Sequence, residues 1–166
     1  MSVRALQSLW RDSKGSALIE GVLVVPILCT LVFGVFEFSW LFYQQHLIST
    51  GIRDAARYVA RTLNPNDITI QTGAKNLATT GAIDGNTARV SGWWTHDVNI
   101  TYASVDNPVG VDGLTPFRGG AVIQRVTVST IFTVPSLGFF GFLGLKPPAL
   151  TVSHQERVIG PGQASR

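Results

Sequence analysis

The chain has 166 residues, a formal net charge of +3 and one cysteine. That length holds one membrane segment and one soluble unit of about 100 residues, enough for a small core. Its Lys and Arg are mostly scattered, which argues against nucleic-acid binding, where cations cluster on a strongly basic domain. A lone Cys29 excludes an internal disulfide.

The first residues form a short basic tail, with Arg4, Arg11 and Lys14 against Asp12. Residues 21–36 then carry no charge and are dense in Val, Leu, Ile and Phe. A helix needs about 20 apolar residues to span hydrocarbon, and counting from Ala17 this segment reaches that length. A cleaved secretory signal would end in small residues. Here the run ends in Gly34-Val35-Phe36-Glu37-Phe38-Ser39-Trp40, with large aromatics in their place. The segment is therefore expected to stay as a single span. The basic tail favours a cytosolic N-terminus by the positive-inside rule, although Arg53, Arg57 and Arg61 beyond the span argue the other way. Pro26 removes one helix hydrogen bond and is expected to kink the helix locally over 22–26.

Glu20 and Glu37 flank the span. The plain reading puts Glu20 at headgroup depth, since a carboxylate within hydrocarbon is costly, and makes Glu37 an interface marker. From His46 the pattern becomes one-faced. Ile48, Ile52, Ala55, Ala56, Val59 and Leu63 recur at helical spacing, a stripe that predicts a buried face. Arg53, Arg57 and Arg61 share an adjacent face. They are either a solvated ridge near the lipid headgroups or a docking face for an acidic partner or anionic lipid. Asn64-Pro65 ends the helix. One helix over 16–63 would be roughly 70 Å long.

The string Lys14-Gly15-Ser16-Ala17-Leu18-Ile19-Glu20, then Val24-Val25-Pro26-Ile27-Leu28, Phe33-Gly34-Val35-Phe36-Glu37-Phe38 and the later Ala55-Ala56-Arg57-Tyr58-Val59-Ala60-Arg61, resembles the TadE/TadG-like pilus assembly proteins of the tight-adherence (Flp/Tad) system. The resemblance covers roughly 14–61. It implies a pseudopilin or minor pilin, with a prepilin-peptidase site that cuts after Gly15, leaves Ser16 as the new N-terminus and places Glu20 four residues on. Glu37 matches an acidic position of the family. A carboxylate at i+4 shares a helix face with the new ammonium, so Glu20 could pair with it or with a neighbouring subunit's.

In the remainder, residues 68–82 suggest a short helix and Asp84-Gly85-Asn86 a turn. Strands are expected at 88–94 with 98–103, at 121–134 and at 150–159. In the second of these, Val122, Val126, Val128, Phe132 and Val134 mostly alternate with polar residues, as in an antiparallel sheet with one face on a helix. The expected fold is α+β: a long N-terminal transmembrane helix continuing as a spine packed on a small antiparallel sheet, a pilin-like arrangement. This divides the chain into a basic cytosolic leader (1–15), a transmembrane helix (16–43), an amphipathic extension (44–63) and an extracytoplasmic head (64–166).

Two loops stand out. Residues 105–120 are polar and expected to be mobile, and Asp106, Asn107 and Asp112 lack the alternating spacing of a calcium loop. Residues 136–148 form an apolar, hairpin-like loop holding Phe139, Phe140 and Phe142. It is either a flap over the core or an exposed patch for subunit contact or membrane dipping. His46, His96 and His154 lie far apart in sequence, and no nucleophile, phosphate-loop or metal motif is present. The expectation is a non-enzymatic structural protein of the bacterial inner membrane, without cofactor, metal or small-molecule substrate. Its partners would be the membrane, other Tad subunits and the prepilin peptidase. The alternative is an anchored envelope module that binds a ligand through Trp93, Trp94 and the 105–120 loop.

Overall fold

The computed structural model describes residues 13–117 and 120–159. Most of the expected leader, including Arg4 and Arg11, and the last residues of the head lie outside them. Helix α1 (Ser13–Ala60) is followed by α2 (Ile68–Thr80), a 3-10 turn (Thr95–Asp97), β1 (Val98–Asp106), β2 (Val122–Thr133), a single turn of helix α3 (Phe139–Phe142) and β3 (Ala149–Arg157). The strands form one antiparallel meander in the order β1-β2-β3. Both ladders run without a slip, from Val98 opposite Thr130 and from Thr133 opposite Ala149.

Helix α1 continues unbroken through Pro26. It ends at Ala60 rather than Leu63, one turn short of the proline. Its last carbonyl has no partner within the helix and is met by the Ile159 amide at 2.7 Å, which ties the exit of β3 to the top of the spine. Helix α2 starts on Asp67, whose side chain accepts from the Thr69 amide at 2.7 Å, and stops at Gly81 (φ +89°). Both ends follow from local chemistry: an acidic N-cap takes a free amide, and a glycine accepts the left-handed cap.

The upper half of α1 packs on one face of the sheet against β2 and β3, and α2 packs mainly on α1. Ile48, Ile52, Ala55, Ala56 and Val59 are fully buried, as the stripe predicts. Leu63 is the exception at 73% exposed, because the helix has already ended. The two helices meet through small residues. A Cβ on Gly51 would run into the Ala78 carbonyl and lie 3.1 Å from the Trp93 ring.

The segment 88–94 is not a strand. It folds back in turns, with Gly92 at φ +81° and the Trp93 amide donating to the Val90 carbonyl at 3.1 Å. Val90 and Trp93 both point into the core. A strand sends residues three apart to opposite faces, whereas a turn can send both inward. Trp93 donates from Nε1 to Thr130 Oγ1 at 3.1 Å, which also satisfies a buried hydroxyl on β2. On β2 the inward set is Val126, Val128 and Thr130, and Val134 just past the strand is buried as well. Val122 is exposed and its neighbour Ile123 is buried instead. Ile123 lies on the outer face, in a shallow hollow with Val105 and Phe117.

The loop between β1 and β2 is closed on one side chain. Asn107 is fully buried. Its Nδ2 donates to the carbonyls of Phe117 (2.8 Å) and Gly120 (3.0 Å), and its Oδ1 accepts from the Phe117 amide at 3.0 Å. Both amide donors of Asn107 and one acceptor site are thus used by the loop backbone.

Two tests follow from this packing. Gly51→Ala is expected to cost about 1–3 kcal/mol by overpacking the α1–α2 contact, read as a lower melting temperature of the full chain in detergent. Tyr102 donates to the Pro65 carbonyl at 2.5 Å, and burial raises its pKa above the ordinary 10.0, against a smaller lowering by the Gln71 side chain. The folded state therefore holds the phenolic proton more tightly than the unfolded chain. That stability is complete below pH 10.0 and is lost as pH rises through the folded pKa. Tyr102→Phe should remove this alkaline loss in melts taken across that range.

Candidate functional site

The lower part of α1 has no core to face. Leu18, Leu23, Ile27, Leu31, Phe33 and Phe36 are all more than half exposed. A helix pairs its own backbone groups, and here the polar side chains inside the apolar run pair locally too. Thr30 Oγ1 donates to the Pro26 carbonyl at 2.8 Å and Ser39 Oγ to the Val35 carbonyl at 2.7 Å. The surface so produced is long and apolar enough to cross a membrane, and none of its apolar window is buried against the rest of the chain. Among the described residues this is the one helix with the length and apolar surface of a membrane anchor. Gly15 sits in the first turn with open space around it, and Glu20 is exposed on the helix surface.

Glu37 is no mere boundary marker. It is 2% exposed, and both carboxyl oxygens accept from backbone amides of the β2–β3 loop, Leu137 at 2.9 Å and Phe139 at 3.2 Å. Gly138 lies between the two donors at φ +111°, a conformation open to glycine that lets both amides turn toward one carboxyl. Further along the same helix face, Trp40 Nε1 (3.2 Å) and Gln44 Nε2 (3.0 Å) donate to the Pro135 carbonyl. Glu37, Trp40 and Gln44 stand at i, i+3 and i+7, the spacing of one helix face. Together they clasp the loop at the point where it leaves the sheet.

The clasp sets the position of the aromatic residues. Phe139 lies against Gly34, where an added Cβ would sit 3.5 Å from the ring. Phe140 meets Phe38 edge-on with centroids 6.0 Å apart, and Phe139 stacks on Phe142 at 6.3 Å. The loop is thus a long hairpin connection between β2 and β3, and not a flap over the sheet core. It is one helical turn laid along the lower half of α1. Between the two runs an apolar groove of about 440 Å³, lined by Pro26, Cys29, Phe33, Phe36, Leu137 and Phe142 among others.

The other candidates lie elsewhere. Arg53 is about 24 Å along the axis from Glu37 at 1.5 Å per residue. The arginine ridge lies on the half of α1 that carries the head. Arg53 and Arg61 are exposed; Arg57 pairs with Glu156 at 3.7 Å, and Glu156 also meets His154 at 2.9 Å. Asp54 on the same ridge pairs with Arg89 at 3.3 Å. Trp93 is fully buried, which leaves Trp94 as the exposed ring of that pair. Among the described residues no group of three or more His, Cys, Asp or Glu side chains could hold a metal ion.

The sequence sets Glu37 apart from the loop that holds Phe139, Phe140 and Phe142; the fold brings them together. It missed Trp40, Gln44 and Pro135. The available signal was Glu37 and Gln44 two turns apart on one face of an otherwise apolar helix, which calls for a partner rich in backbone donors and acceptors.

Replacing Glu37 should free the loop. Glu37→Ala orphans two amides at about 1–3 kcal/mol each, and Glu37→Gln, with one acceptor oxygen in place of two, should be intermediate. Hydrogen exchange at Leu137 and Phe139 would report this as lost protection in that order; equal protection in all three proteins would refute the clasp.

No curated protein and no solved structure matches the chain. The matched family segment lies wholly within α1 and includes the exposed apolar run, Glu37 and the first part of the buried stripe. Residues 15–57 match the model of the TadE-like proteins, the family that the sequence resembles over the same stretch.

Proposed function

We propose that this chain is a single-pass, pilin-like component of the Flp/Tad pilus assembly apparatus, working by subunit packing and not by catalysis. The observation that carries the reading is the TadE-like match on a helix that is bare and apolar below and the spine of a sheet domain above. In the bilayer, such helices associate through side-chain packing, because lipid removes the hydrophobic drive between them. The head then presents contacts from a fixed height. The basic N-terminal tail supports a cytosolic N-terminus in the bacterial inner membrane, with the head on the extracytoplasmic side.

In this reading the prepilin peptidase cuts after Gly15, in a first turn of helix where ends fray. The ammonium created on Ser16 shares a helix face with Glu20. Pairing with Glu20, of the same chain or of a neighbour, would offset the cost of both charges near hydrocarbon. A cut chain can leave the membrane for a fibre, whereas an uncut chain remains a fixed anchor. The competing reading, an anchored ligand-binding module, has lost one of its two tryptophans to the core.

Two measurements decide between these. Mass spectrometry of the chain from cells with and without the peptidase should find Ser16 at the N-terminus only when the peptidase is present. An intact N-terminus in both would leave a permanent anchor. Deletion should abolish piliation; unchanged pili, together with saturable small-molecule binding by the purified chain, would favour the ligand-binding module.

A further inference from the structure

We infer that residues 136–146 are a lipid-immersed wedge: the loop sits within the hydrocarbon of the leaflet on the head's side, and acyl chains fill the groove between it and α1. The inference rests on α1 spanning the membrane. Three independent observations carry it.

The first is depth. Residues 18–36 rise about 28 Å as a helix, close to the thickness of about 30 Å of a bilayer core, so Glu37 falls at its edge. The loop does not stop at that edge. Phe139 lies against Gly34, and the groove continues past Phe33 to Cys29 and Pro26. At 1.5 Å per residue these positions lie from about 4 to about 16 Å below Glu37.

The second is surface chemistry. From Ser136 to Leu145 the loop has no charged residue, and Lys146 follows at once. Phe142 is 80% exposed, and Leu137, Leu143 and Leu145 are also open. Facing water, this would be a contiguous apolar patch of the kind soluble surfaces avoid. Facing lipid it continues the apolar surface of the span, with the Lys146 stem able to carry its charge up to the headgroups.

The third is the backbone. Irregular chain is tolerated at membrane depth only where its polar groups are satisfied by protein. The amides of Leu137 and Phe139 go to Glu37. Those of Phe142, Leu143, Gly144 and Leu145 go to carbonyls within the loop at 2.8–3.1 Å. Pro135, Pro147 and Pro148 flank the loop and have no amide hydrogen to satisfy. The amides of Leu137, Phe139 and Phe142 to Leu145 are thus kept from lipid, and Glu37 supplies two bonds that the turn cannot supply for itself.

The test uses the full chain reconstituted in phosphatidylcholine–phosphatidylglycerol vesicles, in a Cys29→Ala background. A nitroxide is attached singly at Phe142→Cys, at Val32→Cys on the span and at Ile131→Cys on the outer face of the sheet. Power saturation then compares collisions with oxygen, which partitions into lipid, against a water-soluble nickel chelate. The Phe142 label should shift to the oxygen-favoured ratio of Val32, while Ile131 stays nickel-favoured. Adding Glu37→Ala should move Phe142 away from the Val32 value. A nickel-favoured Phe142 beside an oxygen-favoured Val32 would overturn the wedge and leave the span intact. Low access to both reagents at Phe142 would also overturn it, by showing a second protein copy in place of lipid. A nickel-favoured Val32 would instead refute the span itself.

Discussion

One helix here serves two solvents, and the rest of the structure answers to that constraint. Below Glu37, α1 is bare and apolar; above it the same helix carries a stripe buried to the last atom at Ile48, Ile52, Ala55, Ala56 and Val59. No hinge separates the halves, because α1 is continuous from Ser13 to Ala60. A rigid rod cannot adjust the height or rotation of the head relative to the span. Both are set by residue count along the helix, at about 1.5 Å and a fixed rotation per residue.

That rigidity gives the clasp its meaning. The chain leaves β2 at Thr133 heading for the membrane edge and returns as β3 from Ala149. In between it must turn beside an apolar helix, where an unpaired amide costs far more than it does in water. The solution is divided between the partners. The loop forms its own turn and pairs the amides of Phe142 to Leu145 internally; Glu37 takes those of Leu137 and Phe139, and Trp40 and Gln44 hold the Pro135 carbonyl. A polar residue that reads as the end of a membrane segment is in fact the fixed point of a tertiary contact about 100 residues distant in sequence.

What the sequence made legible was whatever depends on periodicity. The apolar run, the stripe on α1 and the alternation of Val126 and Val128 against Thr127 and Ser129 each repeat a local rule, and each appears in the fold where expected. What stayed hidden depended on single long-range partners. Val90 and Trp93 look like strand residues until Gly92 is known to turn the chain between them. Ile123 breaks the alternation because Phe117 covers it from the outer side, and Phe117 is held there by Asn107. Residues 105–120 look mobile for the same reason: one buried asparagine, with no local pattern around it, closes the loop. Glu37 belongs with these, since its role depends on two amides that no window of sequence around it contains.

The clasp also limits how α1 could meet its neighbours. The face carrying Gly34, Glu37, Trp40 and Gln44 is occupied by the loop, and the groove extends that face down to Cys29 and Pro26. Leu28, Val35 and Phe42, spaced by seven, lie on the opposite side and are all more than half exposed. Lateral packing between copies of this helix would therefore run through the Leu28–Val35–Phe42 side, with the wedge facing outward. A subunit leaving lipid for a fibre would then carry an apolar wedge that its packed helix does not cover, so the wedge would have to be met by a neighbouring subunit or stay behind in the bilayer. In the proposed assembly, extraction would add to the cost of moving the span the cost of taking Leu137, Phe142, Leu143 and Leu145 out of hydrocarbon, a cost set by the loop.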